Sequence, residues 1–248
     1  MRTLLCGFFM VLVTQHAFAY EGRSIPYKIG EKTYEGYYIV TGKWAPFVLL
    51  IHDWDGLTDY EITRARMLAK LGYTVFAADL FGKGIRPEKI EDKKRLTDEL
   101  YKDRTKMRAL MHGALVEAGR LGARVDNGVA VGYCFGGAAV LELARSGEPL
   151  KGFVVFHGGL ETPPDQDYSG VRGKVLILHG AADKVVTMDQ FADLAKKLES
   201  AKIVHEMIAY GGAGHAFSVF NGERYNEHAD KKSWKRFIAF LDETLREE

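Results

Sequence analysis

Cys134 lies in Gly132-Tyr133-Cys134-Phe135-Gly136-Gly137, after the apolar run Val129-Ala130-Val131 and before the helix-forming stretch Ala138 to Arg145. A strand, a tight glycine-flanked turn and a helix are the setting of a nucleophile elbow, written here with Cys where Gly-x-Ser-x-Gly has Ser. Such a turn holds the nucleophile in strained backbone, and small residues two before and two after it let strand and helix approach. The plainer alternative is a small buried Cys in a glycine-rich turn, since free Cys is among the most buried residue types. What separates the two readings lies downstream. A thiol nucleophile needs a base to take its proton, and the base needs an acid to orient it. Asp183 follows the apolar run Val175 to Leu178, and His215 follows the strand-like Ile203 to Ile208 within the loop Gly211 to Phe217. Nucleophile, acid and histidine, in that order and each past a strand, is the chain order of an α/β-hydrolase triad. Alone, either loop residue would be read as a helix cap or a solvated side chain. Together with Cys134 they are expected to form a triad.

The elements that must hold these residues can be read along the chain. Ile25 to Ile29 and Thr33 to Val40 flank Gly30-Glu31-Lys32 and predict an antiparallel hairpin. Beyond it, strands alternate with helices, the pattern of a parallel sheet covered on both faces. Pro46 to His52 is an apolar strand, and Thr58-Asp59-Tyr60-Glu61 is a capping box opening a helix that ends at Gly72. Tyr73 to Ala78 is the next strand, and a polar stretch from Phe81 to about Arg104 follows. Met107, Leu110, Met111, Ala114, Ala118 and Leu121 share one helix face. Gly152 to Phe156 is a strand, Thr187 to Gln190 caps another helix, and Trp234, Phe237, Ile238, Leu241 and Leu245 stripe the last one. These stripes are core and not cofactor sites. The fold class is therefore α/β, with a mostly parallel sheet, helices on both faces and an N-terminal antiparallel hairpin.

From about Tyr34 to the C-terminal helix the chain resembles the dienelactone hydrolase family, cysteine-dependent members of the α/β-hydrolase fold. The resemblance rests on an ordered set of segments: Leu50 to Leu57, Ala77 to Gly82, Gly132 to Gly137, Gly180 to Asp183 and Gly214 to Phe217. It implies a hydrolase of lactones or carboxylic esters that uses no metal and no organic cofactor. In this fold the oxyanion donors are the N–H after the nucleophile, here Phe135, and one from the loop after an early strand. The resemblance places the second donor at Trp54. It also makes Asp53 the acid that contacts the resting thiol, where members often carry Glu, with Asp55 as a competitor. Lactone-specific members carry a carboxylate-binding Arg where this chain has Val219, which favours neutral substrates; Lys83, Arg86 and Arg95 are the other cations considered. Trp54, Phe135, Phe217 and Tyr133 are expected to wall a pocket for a small apolar acyl or lactone group.

Met1-Arg2, the apolar run Leu4 to Val13 and Ala17-Phe18-Ala19 have the order of a cleavable signal peptide, and the run is too short to span a membrane. The chain is accordingly divided into a leader, 1–19, and a single catalytic domain, 20–248, exported to the periplasm or beyond. Removing the leader takes away Arg2 and Cys6 and leaves 33 basic against 33 acidic residues. A neutral chain offers nothing for nucleic acid or an anionic membrane, so a small-molecule ester or lactone is the expected partner. The one remaining Cys cannot form an internal disulfide, consistent with a reactive thiol. Rival readings are a general carboxylesterase or thioesterase on the same site, a non-catalytic binding protein that keeps the fold, and a metalloprotein. The last finds no His-x-His or His-x-x-x-His pair.

Overall fold

The computed structural model describes residues 21–246. The leader reading, 1–19, lies outside them. β1 (Arg23–Ile29) and β2 (Lys32–Ile39) form the hairpin, turning at Gly30 with φ 58°. They are followed by β3 (Pro46–Ile51), α1 (Asp59–Lys70), β4 (Thr74–Ala78), α2 (Ile90–Lys102), α3 (Arg104–Arg120) and β5 (Arg124–Tyr133). The chain continues through α4 (Phe135–Arg145), β6 (Gly152–Phe156), β7 (Lys174–Gly180), α5 (Met188–Ser200), β8 (His205–Tyr210) and α6 (Glu227–Leu245).

The eight strands make one sheet in the order β1-β2-β4-β3-β5-β6-β7-β8. β2 pairs antiparallel with β1 and β4, and every later pairing is parallel. The parallel strands are nearly continuous apolar runs because helices cover both of their faces. α2, α3, α4 and α5 pack on one side around Phe153, Val155 and Ile177. α1 and α6 pack on the other around Val131, Val154 and Leu176. The order reverses at β3, so the loops after β3, β5, β6, β7 and β8 open at the carboxyl edge of the central strands. In an open α/β sheet, ligand sites form at that edge.

The segment 81–104 contains the helix α2, which the sequence reading left as a polar stretch. Only Leu96, Thr97 and Leu100 of its 13 residues are buried. One apolar turn against a charged helix is too sparse to read as a periodic stripe.

Candidate active site

At the end of β5 the backbone of Cys134 adopts φ 51° and ψ −112°. For a non-glycine residue that is a sparsely populated conformation, costing on the order of 1–3 kcal/mol. The surroundings enforce it. Cys134 N–H donates to the Phe156 carbonyl at 3.0 Å, and Gly137 N–H to the Cys134 carbonyl at 3.0 Å. A Cβ on Gly132 would stand 2.1 Å from the Gly136 carbonyl oxygen, and one on Gly136 would stand 2.4 Å from that of His52. Only glycine permits this crossing of strand and helix. α4 is in turn anchored by buried Glu142, which accepts from Arg108 at 2.6 Å, Arg145 at 2.8 Å and Gln166 at 3.0 Å.

The three residues expected to act together do meet. Cys134 Sγ lies 3.1 Å from His215 Nε2, and His215 Nδ1 lies 2.8 Å from Asp183 Oδ2. The other oxygen of Asp183 accepts from the N–H groups of Val185 at 2.8 Å and Val186 at 2.9 Å. Burial alone would raise the Asp183 carboxyl, but these bonds outweigh it and hold the group below its ordinary value. With Asp183 an acceptor, Nδ1 of His215 is the donor and Nε2 faces the thiol with its lone pair. Burial, and then the charge of Asp53, push the Cys134 thiol well up, against a lowering contribution from the Phe135 N–H. Burial thus favours the thiol form of the sulfur, which lies within hydrogen-bond distance of His215 Nε2.

Neither the Trp54 nor the Phe135 N–H has an oxygen acceptor among the described residues. The Trp54 N–H is thus unengaged among the described residues, while the Phe135 N–H is directed at the Cys134 sulfur. His52 fixes the loop that carries Trp54: its Nδ1 lies 2.6 Å from the Asp53 carbonyl and its Nε2 accepts from Leu80 N–H at 3.0 Å. A ring that donates at one nitrogen and accepts at the other is neutral, and burial lowers its proton affinity to match. Arg86 braces the same loop by donating to the Leu57 carbonyl and, at 2.7 Å, to the Ile85 carbonyl. Lys83 pairs with Glu35 at 3.2 Å and Arg95 with Asp92 at 3.2 Å. Each of the three cations considered from sequence is thus already engaged.

Three expected roles are not met in this arrangement. Asp53 forms no hydrogen bond with the thiol. Its carboxylate accepts from Asp55 N–H at 3.0 Å and closes its own turn, and the sulfur is engaged by His215 instead. Tyr133 is fully buried and stacks on Phe156 at 4.8 Å, because neighbouring residues of a strand point to opposite faces and Cys134 takes the open one. Phe217 is also fully buried, edge-on to His157 at 5.2 Å. Both are core and neither walls a pocket. A cavity of about 350 Å³ lies elsewhere, lined by Tyr101, Arg104, Ala138, Leu160, Val186 and Gln190 among others. Tyr101 packs edge-on to Phe135 at 5.5 Å, which sets the cavity beside the elbow. This wall combines Tyr101 of α2 and Arg104 of α3 with Ala138 of α4, Gln190 of α5 and the loops after β6 and β7.

Carboxylate oxygens of Asp53, Asp55 and Glu61 lie within 4.8 Å of one another. Asp53 and Glu61 spend theirs on backbone N–H groups of the loop, an arrangement that builds the turn.

Residues 36–245 match the dienelactone hydrolase family. The chain belongs to that family. Among curated relatives, one named "Putative carboxymethylenebutenolidase" from Saccharolobus solfataricus is 27% identical over 228 residues, covering 78% of this chain and 88% of the relative. Of the solved structures, m3DLH superposes with a TM-score of 0.84 at 32% identity, over 92% of this chain and 99% of the other. A dienelactone hydrolase-like promiscuous phosphotriesterase from metagenomic libraries gives 0.83 at 28% identity, over 90% and 98%. The chain is thus a hydrolase of the dienelactone hydrolase family with the α/β-hydrolase fold.

Proposed function

We propose that this hydrolase cleaves lactone or carboxylic ester bonds by covalent catalysis at Cys134. The observation that carries the reading is the unbroken line Cys134 Sγ, His215, Asp183, set on a strained elbow beside the N–H groups of Trp54 and Phe135. Sγ attacks the carbonyl carbon while its proton passes to His215 Nε2, and the oxyanion forms against the N–H groups of Trp54 and Phe135. Collapse breaks the C–O bond, and His215 protonates the departing oxygen, leaving a thioester. Water then attacks the thioester as His215 removes its proton. The C–S bond breaks, the acid departs and the thiol is restored. Asp183 orients the imidazole throughout and stabilises it while it is charged. One arm of the substrate occupies the 350 Å³ cavity, with its apolar part against Tyr101, Ala138 and Val186. The chain's leader adds a place to this proposal, since residues 1–19 would be removed on export.

A panel of chromogenic esters, thioesters and lactones, with a phosphotriester added because a structural relative is described as a phosphotriesterase, tests the proposal. Turnover of an ester or lactone is expected, and Cys134→Ala should abolish it without unfolding the chain. Retention of a tenth of the wild-type kcat by that variant would assign the nucleophile elsewhere, and good ligand affinity with no turnover would favour a binding protein.

A further inference from the structure

Behind His215 lies a buried polar chain that the triad does not use. Arg64, fully buried in α1, donates through Nε to Tyr60 Oη at 3.3 Å and through Nη2 to the Ser218 carbonyl at 2.8 Å. The same Nη2 pairs with Asp230 of α6. Tyr60 Oη is 2.8 Å from Ser218 Oγ, and Ser218 Oγ is 2.8 Å from His157 Nε2. The His157 ring stands edge-on to that of His215, 5.7 Å between centroids. The loop that joins His215 to Ser218 turns at Ala216, which is held at φ 61°.

Counting protons gives the chain a direction. Arg64 can only donate, so the Tyr60 oxygen accepts and the one Tyr60 hydrogen goes to Ser218. The one Ser218 hydrogen then goes to His157 Nε2, which must be the bare nitrogen. His157 Nδ1, which has no partner among the described residues, carries the proton. That leaves one unpaired group, the Nδ1–H. The reverse direction would strand both the buried Tyr60 hydrogen and the Nδ1 lone pair, and each unpaired buried group costs about 1–3 kcal/mol. Burial first, and then the neighbouring His215, hold His157 neutral; Asp183 opposes them and Arg64 adds to them. Tyr133, the remaining ionisable neighbour, is itself kept protonated by burial.

We infer that Arg64 is a positioning residue for the base: it clamps the segment after His215 through both polar groups of Ser218 and fixes His157, as its Nδ1–H tautomer, against the His215 ring. A fully buried guanidinium suits this task because its rigid planar fork reaches Tyr60 through Nε and Ser218 and Asp230 through Nη2, two separated nitrogens where an ammonium has one. The inference rests on the proposed role of His215, but its tautomer readout does not.

Full-length protein with nitrogen-15 histidine separates the two. Two-bond proton–nitrogen spectra should show His157 with a protonated Nδ1 and a bare Nε2 from about pH 5 to 8. Ser218→Ala, a small and readily tolerated change, should mix the two tautomers. It should also lower kcat by about tenfold with KM within about twofold, because a misaimed base slows chemistry and leaves binding alone. Arg64→Lys should show the same kcat-only loss; should it fail to fold, Ser218→Ala alone decides. Wild-type His157 protonated at Nε2, or Ser218→Ala with wild-type kcat, overturns the inference. An inactive wild-type enzyme whose His157 shows the expected tautomer would overturn the ester-hydrolase reading and leave the hydrogen-bond chain standing.

Discussion

At the scale of single residues, the proposed site sets a buried thiol against an imidazole whose other nitrogen is tied to a carboxylate. Burial and nearby carboxylates push the Cys134 thiol up, while hydrogen bonds hold the Asp183 carboxyl below its ordinary value. In the proposed mechanism the thiol ionises only as His215, 3.1 Å away, accepts its proton. Because the two act as one unit, their removals do not add. His215→Ala should lower kcat almost as far as Cys134→Ala, and the double variant should be no worse than the poorer single one within about threefold. Steady-state kinetics of the three variants check this, and additive losses would mean that the residues act independently. The same dependence should appear in alkylation: iodoacetamide should modify wild-type Cys134 faster than it does in His215→Ala.

At the scale of elements, α1 carries more of the site than its surface position suggests. Its capping box uses Glu61 twice, for the Thr58 N–H at 2.9 Å and for the Asp53 N–H at 3.4 Å, so the first turn of the helix also fixes the loop bearing Trp54. Burial is the largest influence on Glu61 and pushes its carboxyl up to about 7, although hydrogen bonds from Thr58 pull the other way. A carboxyl raised in the folded state keeps a proton that the unfolded chain releases. Its contribution to stability is full below the ordinary value of 4.5 and is lost as pH rises through about 7. Glu61→Gln, which cannot ionise, should therefore gain stability relative to wild type between those values, by at most about 1.4 kcal/mol per pH unit. Urea unfolding of both proteins at several pH values reads this difference directly, and a difference that stays constant with pH would show that Glu61 is ionised throughout.

At the scale of the whole molecule, one continuous sheet delivers Cys134, Asp183 and His215 to a common edge from the ends of β5, β7 and β8, while α1 and α6 close the opposite side around Arg64 and Asp230. Because that pair is buried, loss of either partner is expected to destabilise the protein by about 3–5 kcal/mol. The chain ahead of this sheet supplies the remaining prediction. Expressed with its own leader in a Gram-negative host, the protein should be recovered from the periplasm beginning at Tyr20, as N-terminal sequencing would show. Intact Met1 on active cytoplasmic protein would remove the export proposal and leave the chemistry untouched.

The N-terminal hairpin, the alternation of strands and helices apart from α2, and the candidate triad could be read from local pattern, whereas the order of strands across the sheet could not. Glycine spacing around Cys134, caps at Thr58 and Thr187, and chain order from Cys134 through Asp183 to His215 are short-range signals, each with its own physical cause. What lay beyond them depended on which side chains face each other across the sheet. Tyr133 and Phe217 sit beside the candidate catalytic residues in sequence, yet strand alternation and loop closure bury both in the core. The cavity wall, by contrast, includes Tyr101 and Arg104 from around a helix with a single apolar turn. Arg64 was open to notice as a charge on the buried face of α1, one turn before Leu68, but its partners Ser218 and Asp230 are 154 and 166 residues away. Sequence by itself determined which residues could do the chemistry, because nucleophile turns and caps are local. Only the tertiary structure decided what surrounds them, because buried polar partners and cavity walls are chosen by packing between distant elements.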